Sequence, residues 1–417
     1  MAEPDRGHEG GPLSGLRVVE LGSFIAGPFA GQLLGDYGAD VVKVEPPESG
    51  DPMRRWGTTA DGESLWWSAI ARNKRSVAVD LREPAGRRLV RRLIASCDVV
   101  LENFRPGRLA EWGLGYVQLS EINPRLIYVH VSGFGQTGPR AGEAGFGSIG
   151  EAVGGIRYTT GEADALPSRS GISLGDSLAG LFAVIGTLAA VAERARSGRG
   201  QEVDIAIYEA VAALMESSMA DYEKAGVLRG RTGSVLPGVA PSNVYSSADG
   251  VQIVLAANAD AVFRRLCMTM GRPELATDPR FADHGGRGAH MASLDAEIQA
   301  WASVHSAEEL LTLLSANGVP AGKIYTAADM ISDPHYAARD MVLRPDGPKG
   351  PTGPMAGIVP KFSRTPGTVR HPGRPLGADT WDVLRELAGV TPDEWQRLTA
   401  AGLVAQRDDQ PVTEGAP

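Results

Sequence analysis

Between Leu13 and Val131 short β-branched runs alternate with longer stretches of helical periodicity, and this alternation restricts the fold more than any other feature. Leu16 to Leu21 reads as a strand, Ala26 to Leu34 as a helix ending near Gly35 and Gly38, and Asp40 to Val44 as a second strand. Ser76 to Leu81 is the next strand, and Pro84 suits the first position of a helix whose apolar face is Leu89, Val90, Leu93 and Ile94. Asp98 to Leu101 and Leu126 to Val131 continue the pattern. Strands separated by helices of this length predict an α/β fold with a doubly wound, mostly parallel sheet covered on both faces. Such sheets bind ligands beyond the carboxyl ends of their strands.

Past Gly198 the rhythm loosens. Glu202 to Ile207 reads as a strand, followed by helix to about Ala225. Residues 226–238 hold Gly226, Gly230, Gly233, Pro237 and Gly238, which predicts a glycine loop or a domain boundary. Beyond it Val251 to Ala256 reads as a strand and Ala261 to Met270, Ala292 to Ala302 and Ala307 to Ser315 as helices, the last announced by Ser306 and Glu309 at capping-box spacing. A large domain over 13–225 and a smaller α+β domain over 239–330 follow from this pattern. Met341 to Phe362 is rich in Pro and Gly, Thr380 to Leu387 and Pro392 to Leu398 read as helical, and residues 1–12 and 405–417 read as disordered tails.

The 417 residues, 43% hydrophobic and 22% charged, have an ordinary globular balance. A formal net charge of −9 without a long basic tract argues against a nucleic-acid partner. Cys97 and Cys267 lie far apart without a CxxC partner, which suggests neither a disulfide framework nor a metal site and fits a reducing cytoplasm. The polar, acidic start does not resemble a signal peptide. The longest apolar segment, Ser177 to Ala192, is interrupted by Gly180 and Gly186 and is shorter than the ~20 residues a membrane span needs, so it reads as a core helix.

Chemistry concentrates where that helix begins. Gly171 to Gly180 places Asp176 at the helix mouth, where unpaired N–H groups and the helix dipole favour a carboxylate anion. Asp176 is therefore a candidate nucleophile, although an Asp-Ser pair before an apolar run equally suits a helix cap. Arg72 to Arg75, directly before a strand, and Glu102 to Gly107, directly after one, could bind phosphates or a flat base, or form solvated edges. The loop Gly133 to Arg140 is glycine-rich and can approach a ligand closely.

Two other motifs compete. Gly145 to Gly150 satisfies GxGxxG, but no strand precedes it, and Asp164 lies nearer than the spacing of about 20 residues expected of a ribose-binding acid. Gly171 to Gly175 satisfies GxSxG, and His284, His290, His305, His335 and His371 follow, the ingredients of a Ser–His–acid hydrolase. The residues ahead of it, Pro167 to Ser170, are not strand-like, which weakens that reading.

Taken in order, several segments resemble the family III CoA-transferases, the group of formyl-CoA transferase and carnitine CoA-transferase. They are Leu13 to Leu21, Ala26 to Pro28, Leu34 to Glu45, Gly50-Asp51 with Arg54, Asn73 to Ser76, Glu102 to Gly107, Ser132 to Gly135, and Gly175-Asp176-Ser177 with Gly180. The resemblance spans about residues 13 to 404 and implies a Rossmann-like large domain completed by residues 335–404. It implies an interlocked homodimer, no permanently bound cofactor or metal, and coenzyme A or acyl-CoA as substrate. It makes Asp176 the nucleophile, passing through an acyl-aspartyl anhydride and an aspartyl-CoA thioester. The CoA contacts it implies are Phe24, Ile25 and Ala26, then Arg72, Asn73, Lys74 and Arg75, then Asn103, Phe104 and Arg105. Gly233 and Gly238 fall in a loop that covers the active site in the family.

Departures from the family pattern narrow the reaction. Ile25 stands where formyl-CoA transferase has glutamine, and Phe146-Gly147 where it has a Tyr-Glu pair, so oxalate or formate chemistry is not expected. The related acyl-CoA racemases carry a histidine at the position of Phe146, and phenylalanine cannot exchange a proton. The segment Ala144 to Ala152, followed by Gly154 to Arg157, looks like members that move CoA from succinyl-CoA to malate or citramalate. A second carboxylate on such substrates calls for a bidentate cation, and Arg157, Arg169 and Arg140 are candidates.

Overall fold

The computed structural model describes residues 10–60, 62–347 and 350–406. Its described residues fall into two compact units, one within Met1–Ile156, Ser170–Met219 and Pro334–Pro417, the other within Arg157–Arg169 and Ala220–Asp333.

The first unit is built on a seven-stranded sheet. Its strands are β1 (Arg17–Glu20), β2 (Asp40–Glu45), β3 (Lys74–Val79), β4 (Val99–Glu102), β5 (Ile127–Ser132), β6 (Glu202–Ala206) and β7 (Val404–Ala405). They pair in the order β7-β3-β2-β1-β4-β5-β6, parallel except for β7 against β3. Ala405, expected in a disordered tail, therefore belongs to the sheet, while the expected tails at 1–9 and 407–417 lie outside the described residues. Because side chains alternate along a strand, adjacent valines serve opposite faces. Val18, Val41 and Val99 pack towards α1 (Ala26–Asp36) and a long later helix. Val19, Val42 and Val100 pack towards α2 (Pro84–Ala95) and the later helix Thr380–Ala388. Each buried valine contributes about 1.5–3 kcal/mol. The strand order reverses between β1 and β4, which opens a crevice at their carboxyl ends.

Two further helices frame that crevice, α3 (Gly147–Val153) and α4 (Leu174–Ser197). α4 is longer than the apolar run suggests because Glu193, Arg194 and Arg196 continue it, and Gly198, at φ 75°, ends it. By length and composition α4 could cross a membrane. Its buried face instead joins the core with α1 and β5. Gly180 makes that approach close: a Cβ there would lie 2.9 Å from the Phe29 ring and 3.0 Å from the Ala26 carbonyl oxygen. The opposite face of α4 leaves Leu181, Ile185 and Leu188 exposed at i, i+4, i+7 spacing.

The second unit holds an antiparallel three-stranded sheet of Ser242–Ser246, Gln252–Ala256 and Ala321–Lys323. Tyr245, Ile253 and Leu255 point into a core with Phe263, Leu266, Leu294 and Leu310. The Ser306–Glu309 capping box forms at the start of helix Ala307–Ala316. Residues 226–238 contain neither helix nor strand and are tied to the 157–169 segment, Gly233 N donating to Gly161 O at 3.0 Å and Arg231 to the carbonyls of Glu162 and Ala163.

Candidate active site

One side chain bridges the crevice between β1 and β4. Asn103, next after β4, accepts from the Ser23 N–H at 2.8 Å and donates to the Ser23 carbonyl at 2.7 Å. The residue after Ser23 is held in an unusual conformation: Phe24 has φ 65°, and the left-handed region costs a non-glycine residue about 1–2 kcal/mol. Its N–H donates to Asp51 Oδ1 at 3.2 Å. Ile25 and Ala26 are buried, Ile25 against Met53, Trp67 and Ile70, so a ligand could meet only their backbone.

The Phe24 ring leads toward Asp176. It lies edge-on to Trp56 at 5.0 Å and to Phe146 at 6.4 Å. Phe146 is exposed and directly precedes α3. Gly147, the first residue of α3, lies against the nucleophile candidate: a Cβ there would sit on the Asp176 carboxylate, 2.6 Å from its Cγ. Asp176 is half-buried in the first turn of α4, at the third helical position rather than at the cap. Ser173 occupies the cap position and makes no side-chain capping bond. Glu151 of α3, only 1% exposed, reaches across instead, its Oε1 accepting from Gly175 N at 3.2 Å.

The loop after β4 has its own support. Phe104 N donates to Glu102 Oε2 at 2.6 Å, and the Phe104 ring meets Trp112 edge-on at 5.8 Å, while Arg105 is exposed. Glu102 Oε1 is 2.5 Å from His130 Nδ1, and Glu202 Oε1 is 3.2 Å from Nε2. Burial works against charge on His130, but hydrogen bonds and charge from Glu102 and Glu202 outweigh it and raise its pKa above the ordinary histidine value.

The structure corrects the expectation for the basic run. Arg72, Asn73 and Lys74 are 2–3% exposed. Arg72 is paired with Asp36 at 2.6 Å, and Lys74 with Glu20 at 2.8 Å. Asn73 bonds Asp36 and joins the backbone of Thr368 and Arg370 to the sheet. These side chains hold the fold together rather than facing a ligand. Arg75, partly exposed, pairs with Asp40 and Glu386. Arg140 is engaged by Glu143 at 2.9 Å and lies over the Phe134 ring. Arg157, half-buried, and Arg169, exposed, belong to the second unit with Gly233 and Gly238, whose φ values are 63° and 76°.

The competing motifs lack their contexts. The irregular loop 133–146, not a strand, precedes α3 and its GxGxxG match, and no strand lies in 163–172 ahead of Ser173. The sequence pattern of CoA-transferase family III matches residues 13–380. The chain belongs to this family. This CoA-transferase is 54% identical over 394 residues to succinyl-CoA–D-citramalate CoA-transferase of Chloroflexus aurantiacus, covering 94% of this chain and 98% of that one. It is 41% identical to the beta subunit of succinyl-CoA–L-malate CoA-transferase from the same organism, covering 94% and 98%. A CAIB/BAIF family protein from Brucella suis shares its structure with a TM-score of 0.80 at 38% identity, over 91% of this transferase and all of that chain.

Three residues escaped the reading of the sequence. Asp51 stands in a segment that carries the family resemblance, but nothing local connects it with Phe24. Glu151 left only a faint signal, a carboxylate in a glycine-rich apolar stretch. His130 lies inside a strand and looks like an ordinary core residue.

Proposed function

We propose that this enzyme transfers CoA from succinyl-CoA to a short dicarboxylic acid of the malate or citramalate type, with Asp176 as the nucleophile. The observation that carries this reading is the bare Gly147 backbone against the half-buried Asp176 carboxylate, beside the non-titrating ring of Phe146. A carboxylate is ionised at neutral pH and attacks without a general base. Asp176 attacks the donor thioester carbonyl, the C–S bond breaks, and an acyl-aspartyl anhydride and CoA thiolate result. The thiolate then attacks the aspartyl carbonyl, which releases succinate and leaves an aspartyl-CoA thioester. The acceptor carboxylate attacks that thioester and expels the thiolate, which takes the acceptor acyl group from the second anhydride and frees Asp176.

The dicarboxylate specificity is supported by the names of the relatives that are 54% and 41% identical. An Arg157→Ala variant with unchanged KM for dicarboxylates would remove that residue as a candidate partner of the second substrate carboxylate. CoA recognition we assign to the Rossmann-like crevice: Phe24, the backbone of Ile25 and Ala26, Asn103, Phe104 and Arg105. The exposed Leu181, Ile185 and Leu188 stripe on α4 supports a homodimer, which light scattering would reveal as twice the chain mass. Two buried unpaired cysteines support a cytoplasmic setting.

The deciding experiment is mass spectrometry of the peptide Ser170–Arg194 after incubation with succinyl-CoA, with Asp176→Ala as control. A CoA or acyl adduct on Asp176, absent from a control whose turnover falls by ~10³-fold or more, is the expected result. An adduct on Ser173, or turnover retained by the control, would overturn the assignment.

A further inference from the structure

Four buried charges meet beneath the turn that opens α1. Glu20, Lys43, Asp51 and Lys74 are each 2% exposed or less. Lys43 Nζ lies 2.8 Å from Glu20 Oε1 and from Asp51 Oδ2, and Lys74 Nζ lies 2.8 Å from Glu20 Oε2. Two cations and two anions cancel, so the cluster is tolerated in the core. Neutrality alone does not explain where the remaining bonds go. Lys43 donates to the Gly22 carbonyl at 2.8 Å, Lys74 to the Pro28 carbonyl at 2.6 Å, and Asp51 accepts from Phe24 N at 3.2 Å. All three end on the same stretch, Gly22 to Pro28, which contains Phe24, its residue in the left-handed region. Asp51 Oδ1 also accepts from Met53 N at 2.9 Å, starting the short turn that carries Trp56 to its contact with Phe24.

We propose that Asp51, backed by Lys43, Glu20 and Lys74, is a positioning residue that holds Phe24 in its left-handed conformation and so presets the turn for acyl-CoA. This rests on the reading that Phe24 to Ala26 meet CoA. A turn held at several points reaches its bound shape before the ligand arrives, and binding then needs less ordering.

A double-mutant cycle in the full chain tests it, with steady-state kinetics on succinyl-CoA and amide hydrogen exchange as readouts. Asp51→Ala is expected to raise the KM for succinyl-CoA about tenfold, to change kcat by less than about threefold, to leave the acceptor KM unmoved, and to speed exchange at the Phe24 amide. Phe24→Gly accepts a positive φ without strain, so in that background Asp51→Ala should add no more than about a twofold effect. Asp51→Asn, which retains an oxygen acceptor for Phe24 N but loses the charge facing Lys43, should raise KM about threefold and serves if the alanine variant does not fold. A lower Tm with unchanged succinyl-CoA KM in whichever Asp51 variant folds, or single effects that simply multiply, would overturn the positioning role. If Phe24→Gly alone leaves that KM unchanged, the CoA reading of the turn fails and the proposal with it; if it raises KM and the Asp51 variants do not, the positioning role alone fails.

Discussion

α1 and α4 both begin beside the candidate site, and neither is capped by its own preceding residue: Ile25 and Ser173 make no side-chain capping bond. They differ in what replaces the cap. The turn into α1 is fastened from below by four wholly buried charges and from the side by Asn103. The entry to α4 follows exposed residues, and Glu151 of α3 reaches it by accepting from Gly175 N. The contrast matches the tasks proposed for the two ends. A surface that must present one shape to a large ligand gains from many anchors, whereas a carboxylate that makes and breaks bonds needs orientation with room around it.

The largest test of this contrast is at Gly147. Gly147→Ala places a methyl group on the Asp176 carboxylate. We expect turnover to fall by ~10²-fold, since displacement of about 1 Å at a reacting group can cost that much, with a small change in Tm. Turnover close to wild type would mean that α3 does not confine the nucleophile. Next is Glu151→Ala, which removes the borrowed cap and should cost about 1 kcal/mol in urea unfolding. Glu151→Gln retains an acceptor for Gly175 N and should lose less; equal losses would show that the charge, not the cap, matters.

The smallest effect probes whether charge support reaches the β4 loop. His130 has a folded-state pKa above its ordinary 6.5, so the folded protein holds this proton more tightly than the unfolded chain. The resulting stabilisation is complete below about pH 6.5 and is lost as pH rises through the raised value. The Tm advantage of the wild type over His130→Gln should therefore shrink across that window. A gap that stays constant with pH would show that His130 supports Glu102 as a neutral hydrogen-bond partner.

Much of the fold was legible because its signals are local. The valine runs of β1, β2 and β4, the helical face of Leu89, Val90, Leu93 and Ile94, and the Ser306–Glu309 box each lie within a few residues. Asp176 at a helix mouth was legible for the same reason. The end of α4 was not, because the polar residues of its last turn carry no apolar period. The run Arg72 to Lys74 misled because a basic stretch shows its charge but not the carboxylates that meet it, and Asp36 lies 36 residues before Arg72.

The sequence by itself determined the alternation of strands and helices, the family, and the placing of one aspartate at the start of a long apolar helix. Only the tertiary structure decided which charges face a ligand and which are spent inside. Whether a charge is stabilised depends on what is desolvated around it, and around Phe24, Gly175 and Glu102 those neighbours are Asp51, Glu151 and His130, each brought in from another part of the chain.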